Sequence, residues 1–385
     1  MKLKLRLMYN KIVVASDSFK GSLTSLQVAD SVQKAVRQVC PSCEVVKVNV
    51  ADGGEGTMEA LQQTLGGTME KISVSDPLGR SIDAGYVILD ERRTAVIEMS
   101  AASGLPLLQS SERNPMKTTT YGTGEMICDA LDKGCRKFLV GIGGSATNDA
   151  GMGVLAALGY RFKDSDGQIL PPVGASLQKV AVIETDAVHP ALSETEFIVA
   201  CDVKAPLFGP QGAAYVFAPQ KGAYPQMVEE LDNGLRHFAE VAALFCGKDS
   251  SAMQGAGAAG GLGYAFKQFL NARLERGVDM VLDAIGFDKI ISGADLVITG
   301  EGKVDSQTLT GKTPFGVAQR AHRQGIPVVA IGGCVQISSD DAHAAGFAGV
   351  YQVTPAGMPL EEAMKLDVAS ENVYDATLKI LSKHE

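Results

Sequence analysis

Apolar residues along the chain follow two periods, and the switches between them mark the predicted elements. Ile12 to Ser16 is a short, nearly continuous apolar run, as expected of a strand covered on both faces. The loop Asp17-Ser18-Phe19-Lys20-Gly21-Ser22-Leu23 follows. Thr24 with Gln27 then forms a capping box for a helix whose Leu26, Ala29, Val32, Val36 and Val39 share one face. A second strand, Val45 to Val50, ends in Ala51-Asp52-Gly53-Gly54-Glu55-Gly56-Thr57 and opens another helix from Met58. Strand, helix, strand, helix with short loops implies a parallel sheet.

The middle of the chain changes character. Lys71 to Asp76, Gly85 to Asp90 and Thr94 to Met99 read as consecutive strands joined by turns such as Asp76-Pro77-Leu78-Gly79-Arg80, so an antiparallel region is expected. Helices are predicted near Gly124 to Leu131 and Pro225 to Phe245, with a strand, Phe197 to Cys201, between them. In the longer helix Val228, Leu231, Leu235, Phe238 and Phe245 keep helical spacing. From Asp295 the strand and helix alternation returns: strand Asp295 to Gly300, helix Phe315 to Arg323, strand Pro327 to Gly332, strand Gly349 to Val353, and a C-terminal helix.

Alternation at both ends with unlike residues between predicts an α/β protein: a discontinuous flavodoxin-like, doubly wound parallel sheet of order 2-1-3-4-5, with an inserted second α/β domain. The expected boundaries are 1–70 with 285–385 for the first domain and 71–284 for the insertion. Ligands of such sheets bind at the carboxyl ends of the strands, beside the switch point between the first and third. That rule brings the loop Asp17–Ser22 to the loop Gly300–Ser306, with Asp52 and Glu55 flanking. Carboxylates and the lysines Lys20 and Lys303 therefore converge on one rim. Such a set can hold Mg²⁺ through oxygen ligands and neutralise phosphate oxygens. The plainer alternative is a row of solvated cap residues.

Composition narrows the classes. With 45% hydrophobic and 21% charged residues the chain is ordinary globular protein, and a net charge of -9 argues against a nucleic-acid or anionic-membrane surface. In MKLKLRLMYN, Leu3, Leu5 and Leu7 alternate with Lys2, Lys4 and Arg6, so no targeting core forms; the segment reads as an edge-strand extension or an upstream start, with Met8 the other start. No apolar run is long enough to span a bilayer. The seven scattered cysteines suit a reducing cytosol, and a cytoplasmic location is expected. Cys40-Pro41-Ser42-Cys43 leaves a helix and enters a strand, opposite to the redox arrangement, and reads as structural.

Three glycine-rich stretches offer phosphate chemistry. GEGKVDSQTLTGK, 300–312, ends like a Walker loop but has Ser306 where glycine is required, and is rejected as one; Lys312 stays a candidate phosphate contact. Gly255 to Gly260 matches GxGxxG but follows the polar Lys248 to Ser251 rather than a strand, so a flexible loop or hinge is expected. GIGGSATNDAGMG, 141–153, follows an apolar run, fits GxGxxA and precedes a helix, so its backbone N–H groups are expected to meet an anion at a helix N-terminus. Its Asn148 and Asp149 add metal and hydroxyl chemistry that a dinucleotide loop lacks. Asp202 is a further strand-end acid, and the histidines form no cluster.

Seven blocks in one order, DSFKGSLT (17–24), ADGGEGT (51–57), DPLGR (76–80), GIGGSATNDAGMG (141–153), ACDV (200–203), PQKGA (219–223) and GEGKVDSQTLTGKTPFGVA (300–318), carry a resemblance. Over essentially its whole length the chain resembles the class 1 bacterial glycerate kinases, of the glycerate 2-kinase type. The resemblance implies ATP-dependent phosphorylation of D-glycerate with Mg²⁺, giving 2-phosphoglycerate and ADP by direct transfer in an interdomain cleft that closes. The partner is then a small-molecule substrate, with neither nucleic acid nor membrane, and a homodimer is the candidate assembly.

On that reading ATP is expected at Gly143, Gly144, Ser145, Thr147, Asn148 and Lys312, metal at Asp149 and Asp202, and catalysis at Asp17, Lys20, Asp52, Glu301, Lys303 and Asp305. Ser16, Lys204-Ala205 and Ala218 depart from the family pattern without removing a charged group from that set. Two rivals remain: a nicotinamide-dependent oxidoreductase, supported by GxGxxA alone, and a non-catalytic glycerate or ATP sensor on the same fold.

Overall fold

A computed structural model describes residues 9–54, 56–89 and 93–383. Met8, Glu55 and Asp90, each of which the sequence pattern marks, lie outside these described residues. The chain divides into two compact units, Met1–Asp52 with Val281–Glu385, and Gly53–Met280.

The first unit is built on a five-stranded parallel sheet. Its strands lie in the order Glu44–Lys47, Lys11–Ser16, Leu296–Val304, Val328–Val335, Gly349–Gln352, which is 2-1-3-4-5 as the alternation predicts. Ile12 pairs with Leu296 and Ser16 with Gly300, so the central strands are covered on both faces and read as unbroken apolar runs. The third strand runs beyond the expected end at Gly300, pairing Glu301 with Gly332 and Lys303 with Cys334.

Helix Ser25–Val39 starts at the predicted capping box, with Gln27 N donating to Thr24 Oγ1 (3.2 Å) and Thr24 N to Gln27 Oε1 (2.9 Å). Its buried stripe is Val28, Ala29, Val32, Ala35 and Val36, packed against Val373, Ala376 and Ile380 of the C-terminal helix Leu366–Lys383. Leu26, expected on that stripe, is 42% exposed because it falls in the first turn, ahead of the point where the helix meets the core. Cys40 and Cys43 are both buried free thiols, and burial pushes Cys43 up to about 11, which fits a structural role.

The second unit carries a six-stranded mixed sheet in the order Arg273–Glu275, Glu196–Ala200, Lys137–Gly141, Thr94–Glu98, Ser81–Leu89, Thr68–Ser75. The last three strands are antiparallel, as expected, and the others pair in parallel. Helix Thr57–Leu65 packs on the strands Ser81–Leu89 and Thr94–Glu98. In the long helix Pro225–Cys246, Val228, Leu231, Leu235 and Phe238 are buried, whereas Phe245 is exposed near the C-terminal end. Among the described residues no helix is long and apolar enough to cross a membrane.

Candidate functional site

At the carboxyl edge of the parallel sheet of the first unit lies a cavity of about 530 Å³. Asp17, Lys20, Asp52, Glu301, Lys303 and Lys312 all line it. Each reaches it for a local reason. Asp17 and Lys20 follow the first strand, whose hydrogen bonding carries on one step through Asp17 N to Gly300 O (2.8 Å). Glu301 and Lys303 are two apart on the extended third strand, so strand alternation turns both side chains to one face. Gly300 makes the close approach of that strand to its neighbour feasible, since a Cβ there would come 2.4 Å from Ile331 O. Lys312 sits at the N-cap of helix Thr313–Arg323.

The carboxylates of this rim are held near one another at an electrostatic cost. Burial raises the Asp17 carboxyl above the ordinary carboxylate range, and the charge of Asp52 raises it further. Ser18 N (2.6 Å) and Thr313 Oγ1 (3.2 Å), both donating to Asp17, and the charge of Lys20 only partly offset this. Glu301 is likewise raised by burial, opposed by the hydroxyl of Thr308 and by Lys312, whose Nζ is 3.6 Å away. Asp305 differs. It stands beside the cavity rather than in its lining, paired with Lys303 Nζ at 3.1 Å and accepting from Gln307 N, and these contacts hold its carboxyl below the usual range.

The glycine-rich stretch 141–153 belongs to the second unit and is arranged otherwise. Gly143 and Gly144 are exposed, Ser145 is nearly buried, and Thr147, Asn148 and Asp149 are fully buried. The helix expected directly after the glycines begins only at Met152 and ends at Ala157, so Gly143 and Gly144 do not stand at its N-terminus. Asp149 is turned inward: its carboxylate accepts from Thr120 N and Thr120 Oγ1 (both 2.8 Å), Gly151 N (3.0 Å) and Gly153 N (3.1 Å). These donors cap the short helix and tie it to Thr120. Burial nonetheless raises the carboxyl, with the hydrogen bonds opposing. Asp202 is exposed and accepts from Gly277 N at 3.1 Å.

Gly255 to Gly260, expected as a flexible hinge, is packed instead. Ala256, Ala258 and Gly260 are buried, and Ala259, Gly260 and Gly261 take left-handed backbone conformations. A Cβ on Gly260 would come 2.0 Å from Thr147 O, so glycine here lets one loop lie directly on the other.

Lys221, within the PQKGA block, is a residue that the sequence pattern does not single out. It is 2% exposed, and its Nζ donates to Ser145 Oγ (2.6 Å) and Thr147 O (2.7 Å), clamping the Gly143–Asp149 loop from below. Burial pushes its ammonium down to about 7, opposed by the charge of Asp149. The available signal is a lone lysine in a stretch of small and apolar residues, Ala213 to Ala223, next to Gly222, whose φ of +95° tightens the turn.

For Mg²⁺ the donor set matters. Among the described residues no group of three or more His, Cys, Asp or Glu side chains gathers as a metal cluster. Magnesium, however, is commonly held by one or two carboxylates with substrate phosphates and water supplying the rest. Asp17 and Asp52, whose mutual repulsion a cation would relieve, fit that demand, whereas the Asp149 oxygens are filled by the protein's own donors.

A profile of the glycerate kinase family matches residues 12–384. "Glycerate kinase" of Bacillus subtilis (strain 168) is 44% identical over 92% of this chain and 93% of that protein. "Glycerate 2-kinase" of Escherichia coli (strain K12) is 42% identical over 96% of this chain and 97% of that protein. A crystal structure from Salmonella typhimurium LT2, provisionally named glycerate kinase 2, superposes with a TM-score of 0.89 at 41% identity, covering 98% of each chain. The chain therefore belongs to the glycerate kinase family, enzymes that transfer a phosphoryl group to a hydroxyl.

Proposed function

We propose that the protein phosphorylates D-glycerate from ATP on the 2-hydroxyl, releasing 2-phosphoglycerate and ADP by direct transfer. Family membership supports glycerate kinase activity as such, and the E. coli relative's name supports the 2-position. The observation that carries the mechanism is the convergence of Asp17, Lys20, Asp52, Glu301, Lys303 and Lys312 on one cavity at the switch point of the sheet. Phosphoryl transfer asks a protein chiefly for positioning, charge neutralisation and a carboxylate to orient or accept the proton of the attacking hydroxyl.

In this assignment Asp17 is the base. Its raised carboxyl lies nearer the working pH than an ordinary aspartate, which favours proton acceptance. Lys20, Lys303 and Lys312 neutralise phosphate oxygens and the glycerate carboxylate. Glu301 orients Lys312, and Asp305 orients Lys303. Mg²⁺ would supply further neutralisation of phosphate charge when bound, and Asp52 is the rim residue to hold it, which leaves the Asp17 carboxylate to take the proton; Asp202 is the exposed alternative. Exposed Gly143 and Gly144, with Ser145, are proposed phosphate contacts, and Thr147, Asn148 and Asp149 support them from inside.

The test is a coupled ADP-release assay with D-glycerate. Steady turnover that is abolished by Asp17→Asn in a natively folded protein is expected. Wild-type turnover in Asp17→Asn would remove Asp17 from the role of base. Absence of glycerate-dependent ADP release from the wild type would favour the sensor.

A further inference from the structure

The cavity is larger than a three-carbon acid needs, and its lining is divided. Four of its charged members, Asp17, Lys20, Glu301 and Lys303, come from the first and third strands or the loops that leave them, and Asp52 and Lys312 stand on the same charged part of the lining. The fourth strand adds Gly333 and Cys334 to the lining, and the segment that leaves the fifth strand turns it apolar, with Val353, Pro355, Met358 and Met364. Neighbouring strands are spaced by roughly 4.8 Å, so a lining that spans four of them runs about 14 Å, far beyond the length of glycerate and comparable with a nucleoside triphosphate. A volume of about 530 Å³ likewise falls in the range of cofactor-sized sites.

The two halves are joined. Gly21 follows Lys20 with φ +77°, and a Cβ there would come 2.8 Å from Met364 Cε, so the lysine loop rests directly on the apolar wall. The wall is only partly covered. Pro355 and Met364 are exposed and Met358 half-buried, and Gln352 and Thr354 bring polar groups to the same edge. Methionine thioethers are adaptable and make favourable contacts with flat aromatic rings. Apolar side chains that adjoin a lysine-lined rim and end in a few polar groups suit a purine ring whose phosphates lie on the lysines.

We propose that this apolar half is the nucleoside subsite. The adenine of ATP packs against Met358 and Met364, and its phosphates run toward Lys20, Lys303 and Lys312, an assignment that rests on the kinase reading above. Neither methionine belongs to the motif blocks that carry the family resemblance, and no glycine-rich loop is needed to seat the base.

Photolabelling of the full chain with 8-azido-ATP, followed by peptide mapping, tests where the base sits, and needs no turnover. Label in the segment 352–372, displaced by ATP, is expected; label confined to 141–153 or 255–263 overturns the proposal. Met358→Glu and Met364→Glu give another, independent measurement. Placing a charge against the ring should raise KM for ATP about tenfold in natively folded protein, with KM for glycerate unchanged. Unchanged KM for ATP in both variants would contradict the assignment. If the wild type fails to phosphorylate glycerate, the kinase reading falls, and the label still locates the adenine subsite.

Discussion

The rim of the first unit and the loop 141–153 in the other unit are similar as sequence, both small, glycine-rich and acidic, yet they use their charges in opposite ways. At the rim, Asp17, Asp52 and Glu301 line one cavity, and the Asp17 and Glu301 carboxyls are raised by burial that their donors only partly offset. In the loop, Asp149 is enclosed and its oxygens are taken by backbone and hydroxyl donors. The rim acids line open space, whereas Asp149 fastens the chain to itself. A strand-end acid is thus a functional candidate to the extent that its neighbours leave its charge unsatisfied.

The comparison breaks most visibly at Asp17. Asp17→Asn is expected to lower kcat by about 10²–10⁴-fold, the usual contribution of a positioned base. Its melting temperature should hold or rise. The folded-state carboxyl is raised, so below the unfolded value both states are neutral and the variant gains nothing. As pH climbs through the folded value the wild type takes on the cost of a buried charge that the variant lacks. Thermal melts from pH 4 to pH 8 should therefore diverge toward neutrality; a variant that is less stable than the wild type at pH 7 would contradict the rim's description.

Asp149→Ala should do the reverse. Removing the acceptor leaves four donor contacts unmet in a fully buried place, at a cost of about 3 kcal/mol or more, read by denaturant unfolding. Loss of activity is expected to follow loss of fold. A stable, inactive Asp149→Ala would assign that carboxylate to the chemistry after all.

Lys221→Met sharpens the contrast through pH. The lysine's folded value, about 7, lies below its unfolded value, so the cost of its buried charge is complete below pH 7 and fades as pH rises toward the unfolded value. The wild type should gain stability across that window relative to Lys221→Met, and parallel melting curves would refute the burial argument. The smallest effect belongs to Asp305→Asn. Because that carboxylate stands beside the cavity on Lys303, turnover is expected to fall only about two- to fivefold, as for a surface ion pair; a loss as deep as that of Asp17→Asn would move it into the site.

Much of the first unit is legible in the sequence because buried parallel strands and capped helices leave direct marks: the run Ile12–Ser16, the Thr24 and Gln27 box, and the order of five strands that follows from them. The rim follows by topology, since the switch-point rule needs strand order and no side-chain detail. Three features are hidden for physical reasons. The third strand is expected to stop at Gly300 because Glu301 and Lys303 resemble loop residues; its pairing with the first strand does end there, and only the fourth strand, at Gly332 and Cys334, reveals the extension. Gly255–Gly260 reads as flexible from composition, whereas close approach to neighbouring chain is what its glycines serve, Gly257 against Pro206 O and Gly260 against Thr147 O. Whether Asp149 points to ligand or to backbone depends on Thr120, distant along the chain, and the clamp by Lys221 spans a longer gap still.

The most direct test of the central claim is phosphorus NMR of the product formed from D-glycerate, ATP and Mg²⁺. The account predicts a phosphate monoester on the secondary carbon, 2-phosphoglycerate, appearing in step with ADP. A resonance from 3-phosphoglycerate, or ADP with inorganic phosphate alone, would contradict it.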